Sequence, residues 1–259
     1  MDRDKILLVL RALLPATLLL VSSHAASGQD PSALHVRAVV FEARRGAMSA
    51  AHKQQRREWD SAARAAETAR PIAREWLSHC LGQLQRETPG CIFVDETVTS
   101  SHTLWRYIGN DEPGTIFGSG GSGLGWGMGA AVGIKLAAPD RPVVLLVGDG
   151  SFVFGEALAA LWAARAQSAT VLVVVFNNAC YNATREPLLE AYPDGYSARG
   201  RRVGIDLIPA PRYDLLAPIV DAVGERVEDP GAVLPALRRG LDRVRNGRSV
   251  ILDVILAHP

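Results

Sequence analysis

Apolar positions change their period twice along this chain. Residues 47–70, AMSAAHKQQRREWDSAARAAETAR, carry little apolar content and many helix formers, which predicts a solvated helix. Residues 31–46 show no decisive period, so 31–70 is read as a mostly helical linker. Pro71 then opens a stretch in which Ile72, Trp76, Leu77, Leu81 and Leu84 fall on one side of a helix that ends at Thr88-Pro89-Gly90. Beyond it, short runs without polar alternation predict strands at 91–96, 115–118, 142–149, 170–178 and 249–256. Helical patterns predict helices at 99–109, 127–138, 155–167, 211–224 and 230–245. Strands that are apolar on both sides and alternate with helices indicate an α/β domain over 71–259: a parallel sheet with helices on both faces.

Ligands of such sheets bind beyond the carboxyl ends of the strands. Two polar signatures fall there, Gly148-Asp149-Gly150 and Asn177-Asn178. Each alone is compatible with an ordinary turn. Residues 151–176, one helix and one strand, separate them, and such a β-α-β crossover places the two strands side by side or one apart. A carboxylate and an amide oxygen meeting at one point are hard ligands that suit Mg²⁺, which takes its remaining ligands from phosphate, backbone and water. The backbone N–H groups of Gly150 and Ser151, before a predicted helix, suit phosphate oxygens.

Other readings stay open from the residues alone. GSGGSG (118–123) satisfies G-x-G-x-x-G, with Asp149 as a ribose-binding acid, but a dinucleotide site leaves Asn177 and Asn178 without a role. Cys180 and His102 show no spacing that makes a nucleophile pair, and His52, His79 and His258 show no metal-ligand spacing. Trp126 and Trp162 read as core residues.

Composition narrows the classes. The 259 residues are 48% hydrophobic, enough for one large domain with extensions. Lys and Arg number 28 against 27 Asp and Glu, which argues against a nucleic-acid partner held by electrostatics. Three scattered cysteines fit a reducing compartment and hence a cytoplasmic protein. Residues 1–30, with a charged start, an apolar stretch over 6–21 and small residues near Ala25-Ala26, have the look of a secretory leader and hint at export instead. Arg11 and Pro15 interrupt that stretch, so no stable membrane insertion is expected.

GDG followed by NN resembles the Mg²⁺- and diphosphate-binding motif of thiamine diphosphate (ThDP) dependent enzymes. The upstream GSGGSGLGWGMGAAVGIKLAAPDRPVVLLVGDG is similar to the cofactor domain of acetolactate synthase-like and benzoylformate decarboxylase-like proteins, over roughly 71–257. The resemblance implies Asp149, the side chain of Asn178 and the carbonyl of Cys180 as Mg²⁺ ligands. It implies Gly148, Gly150, Ser151 and Tyr181 against the diphosphate, with Glu96, Thr97 and Thr99 as further contacts. The loop Gly121, Ser122, Gly123 and Leu124 would meet the aminopyrimidine, Leu124 as the wedge that bends the cofactor. It further implies a 2-keto acid substrate, decarboxylated with or without carboligation, and an oligomer in which a pyrimidine-binding domain supplies the catalytic glutamate. Before residue 71 no strand followed by a suitable Glu is visible, so a partner chain is expected to carry that domain, the alternative being a truncated, inactive remnant.

Overall fold

The computed structural model describes residues 31–109, 111–121, 123–200 and 204–259, with side chains from Phe41 onward; the leader-like segment and Ser122 lie outside the described residues. The chain divides into two compact units, Met1–His52 and Lys53–Pro259. Helix α1 spans Pro31–Ala65, which resolves the ambiguous 31–46 stretch as helix. Among the described residues no helix is long and apolar enough to cross a membrane.

The larger unit is built on six parallel strands: β1 (Ile92–Glu96), β2 (Ile116–Gly118), β3 (Val143–Gly148), β4 (Leu172–Asn177), β5 (Val223–Val227) and β6 (Val250–Ile255). Their spatial order is β2-β1-β3-β4-β6-β5. The strands lack alternation because both faces are covered. Phe93, Val144, Leu146, Val174 and Leu252 point into one core with α2 (Arg74–Glu87) and α9 (Val233–Arg245). Val94, Leu145, Val147, Val173 and Ile251 point into the other, with α4 (Trp126–Ala137), α6 (Ala157–Ala166) and the 3₁₀ segment Tyr213–Val220. The parallel α/β architecture is therefore the one expected.

Several local expectations change. The helix expected from Pro71 begins only at Arg74, because Ile72 is drawn to the sheet, where its N–H donates to the Ile255 carbonyl at 3.1 Å. The stretch 99–109 is not one helix but a 3₁₀ turn, Val98–Ser100, and the single turn α3, Ser101–Leu104. The helix expected over 211–224 is a 3₁₀ segment followed by β5. Pro218 removes a backbone donor within it, and Gly224 lies so close to the Asp214 carbonyl that a Cβ there has no space. Three short helices complete the chain: α5 (Asp149–Phe154), α7 (Asn182–Ala191) and α8 (Tyr196–Arg199).

Strand order places the site. From β1 the chain runs outward to β2, then returns to lay β3 on the other side of β1. The loops leaving β1 and β3 therefore diverge and open a crevice between them, the topological switch point of an open α/β sheet.

Candidate functional site

That crevice holds a cavity of about 90 Å³ at the carboxyl ends of β1, β3 and β4. Gly148, Asp149, Gly150 and Ser151 line it from β3, and Asn178, Cys180 and Tyr181 from β4. Thr97 and Thr99 come from the loop after β1, and Leu124 from the glycine-rich loop. Ten residues singled out from the sequence thus share one wall system. β3 and β4 are adjacent, with Gly148 level with Phe176, which brings Asp149 beside the turn that carries Asn178.

Asp149 is 2% exposed. Its Oδ1 accepts from the Gly150 N–H at 2.8 Å, and its Oδ2 is buried without a partner. Burial pushes its pKa up to about 6, against the pull of the Gly150, Ala179 and Cys180 amides. Ala179 takes a left-handed backbone, φ 56°, and the Ala179 and Cys180 N–H groups donate to Asn177 Oδ1 at 3.3 Å and Asn178 Oδ1 at 3.1 Å. The Gly150 N–H expected to face phosphate is thus turned onto Asp149 itself.

The two asparagines part company. Asn177 is buried, and its Nδ2 donates to Asp253 Oδ1 at 2.8 Å, away from the cavity. Asn178 faces the cavity, with its Oδ1 accepting from the Cys180 N–H at 3.1 Å. Cys180 is buried at the same cavity, and its Sγ donates to Asp206 Oδ1 at 3.9 Å. The Tyr181 ring packs against Gly150, where a Cβ would come within 2.5 Å of it, so only glycine permits this wall. Cys80, Cys91 and Cys180 are all buried.

Three expected positions fall elsewhere. Glu96 is not a cavity wall. Its Oε1 accepts from the Gly125 N–H at 2.5 Å and its Oε2 from the Gly127 N–H at 2.7 Å, so the carboxylate braces the start of α4. An anion so engaged has nothing to donate to a diphosphate. Gly121 and Gly123 are exposed and do not line the cavity, and among the described residues of that loop only Leu124 reaches it. Thr97 lines the cavity, but its hydroxyl donates to Asp95 Oδ1 at 2.8 Å.

Sequence reading missed Val98 and Asn182, which also line the cavity. Val98 has φ 55°, a conformation that a β-branched residue rarely adopts and that clusters at functional sites. Nothing in the sequence signals that strain. Asn182 opens α7, and its Oδ1 is buried without a partner while its Nδ2 donates to Glu186.

Residues 97–254 match the family described as thiamine pyrophosphate enzyme, C-terminal TPP binding domain, which spans every cavity wall named above. The chain belongs to this family. Thiamine pyrophosphate is ThDP, the cofactor implied by the GDG and NN motifs, and Mg²⁺ is its usual companion ion. The chain is 37% identical over 94 residues to the benzoylformate decarboxylase of Pseudomonas aeruginosa, covering 36% of this chain and 17% of that protein. It is 36% identical over 160 residues to the acetolactate synthase large subunit IlvG of Mycobacterium tuberculosis, covering 60% of this chain and 27% of that one. A similar fold occurs in the thiamine diphosphate-dependent 4-hydroxybenzoylformate decarboxylase of Rhodococcus jostii RHA1, with a TM-score of 0.61 and 24% identity over 74% of this chain and 34% of that chain. The chain thus spans between a sixth and a third of the length of these relatives.

Proposed function

We propose that this chain supplies the Mg²⁺- and diphosphate-binding side of a ThDP-dependent enzyme of the acetolactate synthase-like or benzoylformate decarboxylase-like kind. Its substrate is a 2-keto acid, decarboxylated with or without carboligation. The observation that supports this reading best is the unpartnered Oδ2 of Asp149, buried in a cavity shared with Asn178 and Cys180. A buried acceptor without a donor costs roughly 1–3 kcal/mol, and a bound cation relieves that cost.

The donor set fits the ion. A carboxylate from Asp149, an amide oxygen from Asn178 and the Cys180 carbonyl are hard oxygens, leaving positions for diphosphate and water. Among the described residues there is no cluster of three or more His, Cys, Asp or Glu, so a thiolate or imidazole metal has no competing site there. In this reading Gly148 and Ser151 hold the diphosphate through backbone, Gly150 keeps the wall beside it free of a side chain, and Tyr181 walls it in. Thr97 and Thr99 close the β1 side, and Leu124 supports the bent cofactor. ThDP, when bound, supplies the carbanion chemistry, and these residues bind and orient it. The glutamate that exchanges a proton with the aminopyrimidine belongs to a pyrimidine-binding domain, carried by a partner chain or by a further part of the same protein.

Titration calorimetry with ThDP and Mg²⁺ tests the site. Asp149→Ala should abolish Mg²⁺-dependent binding, and an unchanged affinity refutes the assignment. Co-purification tests the assembly. A partner bearing the pyrimidine-binding domain, with turnover of a 2-keto acid, supports the enzyme. Cofactor binding with no turnover beside such a partner supports an inactive remnant.

A further inference from the structure

Glu96 is buried at the end of β1, yet it points away from the cavity that its neighbours line. Its two oxygens take the N–H groups of Gly125 and Gly127, at the start of α4. A carboxylate on a helix N-terminus satisfies donors that have no partner within the helix and complements the helix dipole. Here the cap comes from another element, so it ties two separate parts of the domain together. Gly127 makes the approach possible, since a Cβ there would lie 2.6 Å from Glu96 Oε2. On the other side, Gly125 runs at φ 87°, where its Cβ would lie 2.6 Å from the Gly155 Cα. The backbone at Gly125 is therefore held between the Glu96 carboxylate and the turn after α5. Leu124, immediately before it, is apolar and 41% exposed, and it lines the cavity together with Asp149. The position of this exposed apolar side chain is set by the backbone behind it.

We propose that Glu96 is a positioning residue that fixes Leu124 for the aminopyrimidine end of ThDP, without touching the cofactor. This rests on the cofactor reading above. Both Glu96 oxygens are taken by the Gly125 and Gly127 N–H groups and neither lines the cavity with Asp149, so its effect separates from diphosphate binding. In the wild type, ThDP with Mg²⁺ should bind more tightly than inorganic pyrophosphate with Mg²⁺, the difference coming from the Leu124 side.

The experiment compares both ligands by calorimetry on the full chain, wild type against Glu96→Gln, alongside amide exchange. Glu96→Gln keeps the shape but offers one acceptor where two are needed. It should leave pyrophosphate affinity unchanged, lower ThDP affinity roughly tenfold or more, and speed exchange at Gly125 and Gly127 while β3 and β4 stay protected. If Glu96→Gln fails to fold, Gly127→Ala displaces the same carboxylate and should give the same split. Equal losses for the two ligands, an unchanged ThDP affinity, or a wild type with no preference for ThDP over pyrophosphate would overturn the inference alone. A wild type that binds neither ligand sinks the cofactor reading itself.

Discussion

Two buried aspartates of this domain, Asp149 and Asp253, sit near the same strand ends and live by opposite rules. Asp253 is 0% exposed, and both its oxygens are used: Oδ1 by Asn177 at 2.8 Å and Oδ2 by Arg226 at 3.2 Å. Asp149 is almost as buried and leaves Oδ2 with no partner. Burial raises the pKa of each; backbone amides offset it at Asp149, but at Asp253 the fold itself supplies the Arg226 cation as well as the Asn177 side chain. A paired buried carboxylate holds strands β4, β5 and β6 together; an unpaired one facing a cavity keeps room for something the fold does not contain. The contrast also divides the adjacent asparagines, Asn177 serving the scaffold and Asn178 the cavity.

The largest effect should follow from breaking the scaffold side. Asp253→Ala leaves Asn177 and Arg226 without their shared partner and is expected to cost about 3 kcal/mol in urea unfolding, with the slope unchanged. A loss within error of zero would mean the network carries no stability. Asp149→Asn should behave in the opposite way. Its stability should equal or exceed that of the wild type, while ThDP–Mg²⁺ affinity falls roughly 100-fold or more. Similar loss of stability in both variants would erase the distinction between them. A smaller effect is expected from Gly150→Ala, whose Cβ would lie 2.5 Å from the Tyr181 ring. It should destabilise by about 1–3 kcal/mol and weaken pyrophosphate binding with it. Wild-type values for both would remove the Tyr181 wall from the site.

The smallest effect concerns a paired carboxylate at the surface. Glu87 is held down to about 2 from 4.5, first by its hydrogen bond from Arg238 and then by Gln83. Because the folded value is the lower one, this contribution is fully present above pH 4.5 and is lost as the pH falls toward 2. Glu87→Gln should flatten that part of the stability–pH curve, and superimposable curves would show that the pair contributes nothing.

The sheet was legible because VVLLVG, LVVVFN and VILDVI are apolar on both faces, and only a strand buried on both sides reads that way. β5, VGERV, was not, because an edge strand keeps polar side chains and mimics the end of the preceding helical pattern. Its Arg226 was therefore missing from any reading, and with it the partner that makes Asp253 structural. At the cavity, GDG and Asn178 were legible because their chemistry is carried by residue type at strand ends. The role of Glu96 was not: its partners are the backbone amides of Gly125 and Gly127, and no side-chain pattern marks a backbone donor. α7 was hidden by Pro187 and by a largely polar composition.

The most direct measurement is anomalous scattering from a crystal of this chain grown with ThDP and Mn²⁺ in place of Mg²⁺. The expected result is one strong peak between the Asp149 carboxylate, the Asn178 side-chain oxygen and the Cys180 carbonyl, with diphosphate density beside Gly150. A peak away from Asp149, or cofactor density with those two side chains turned from it, would contradict the assignment.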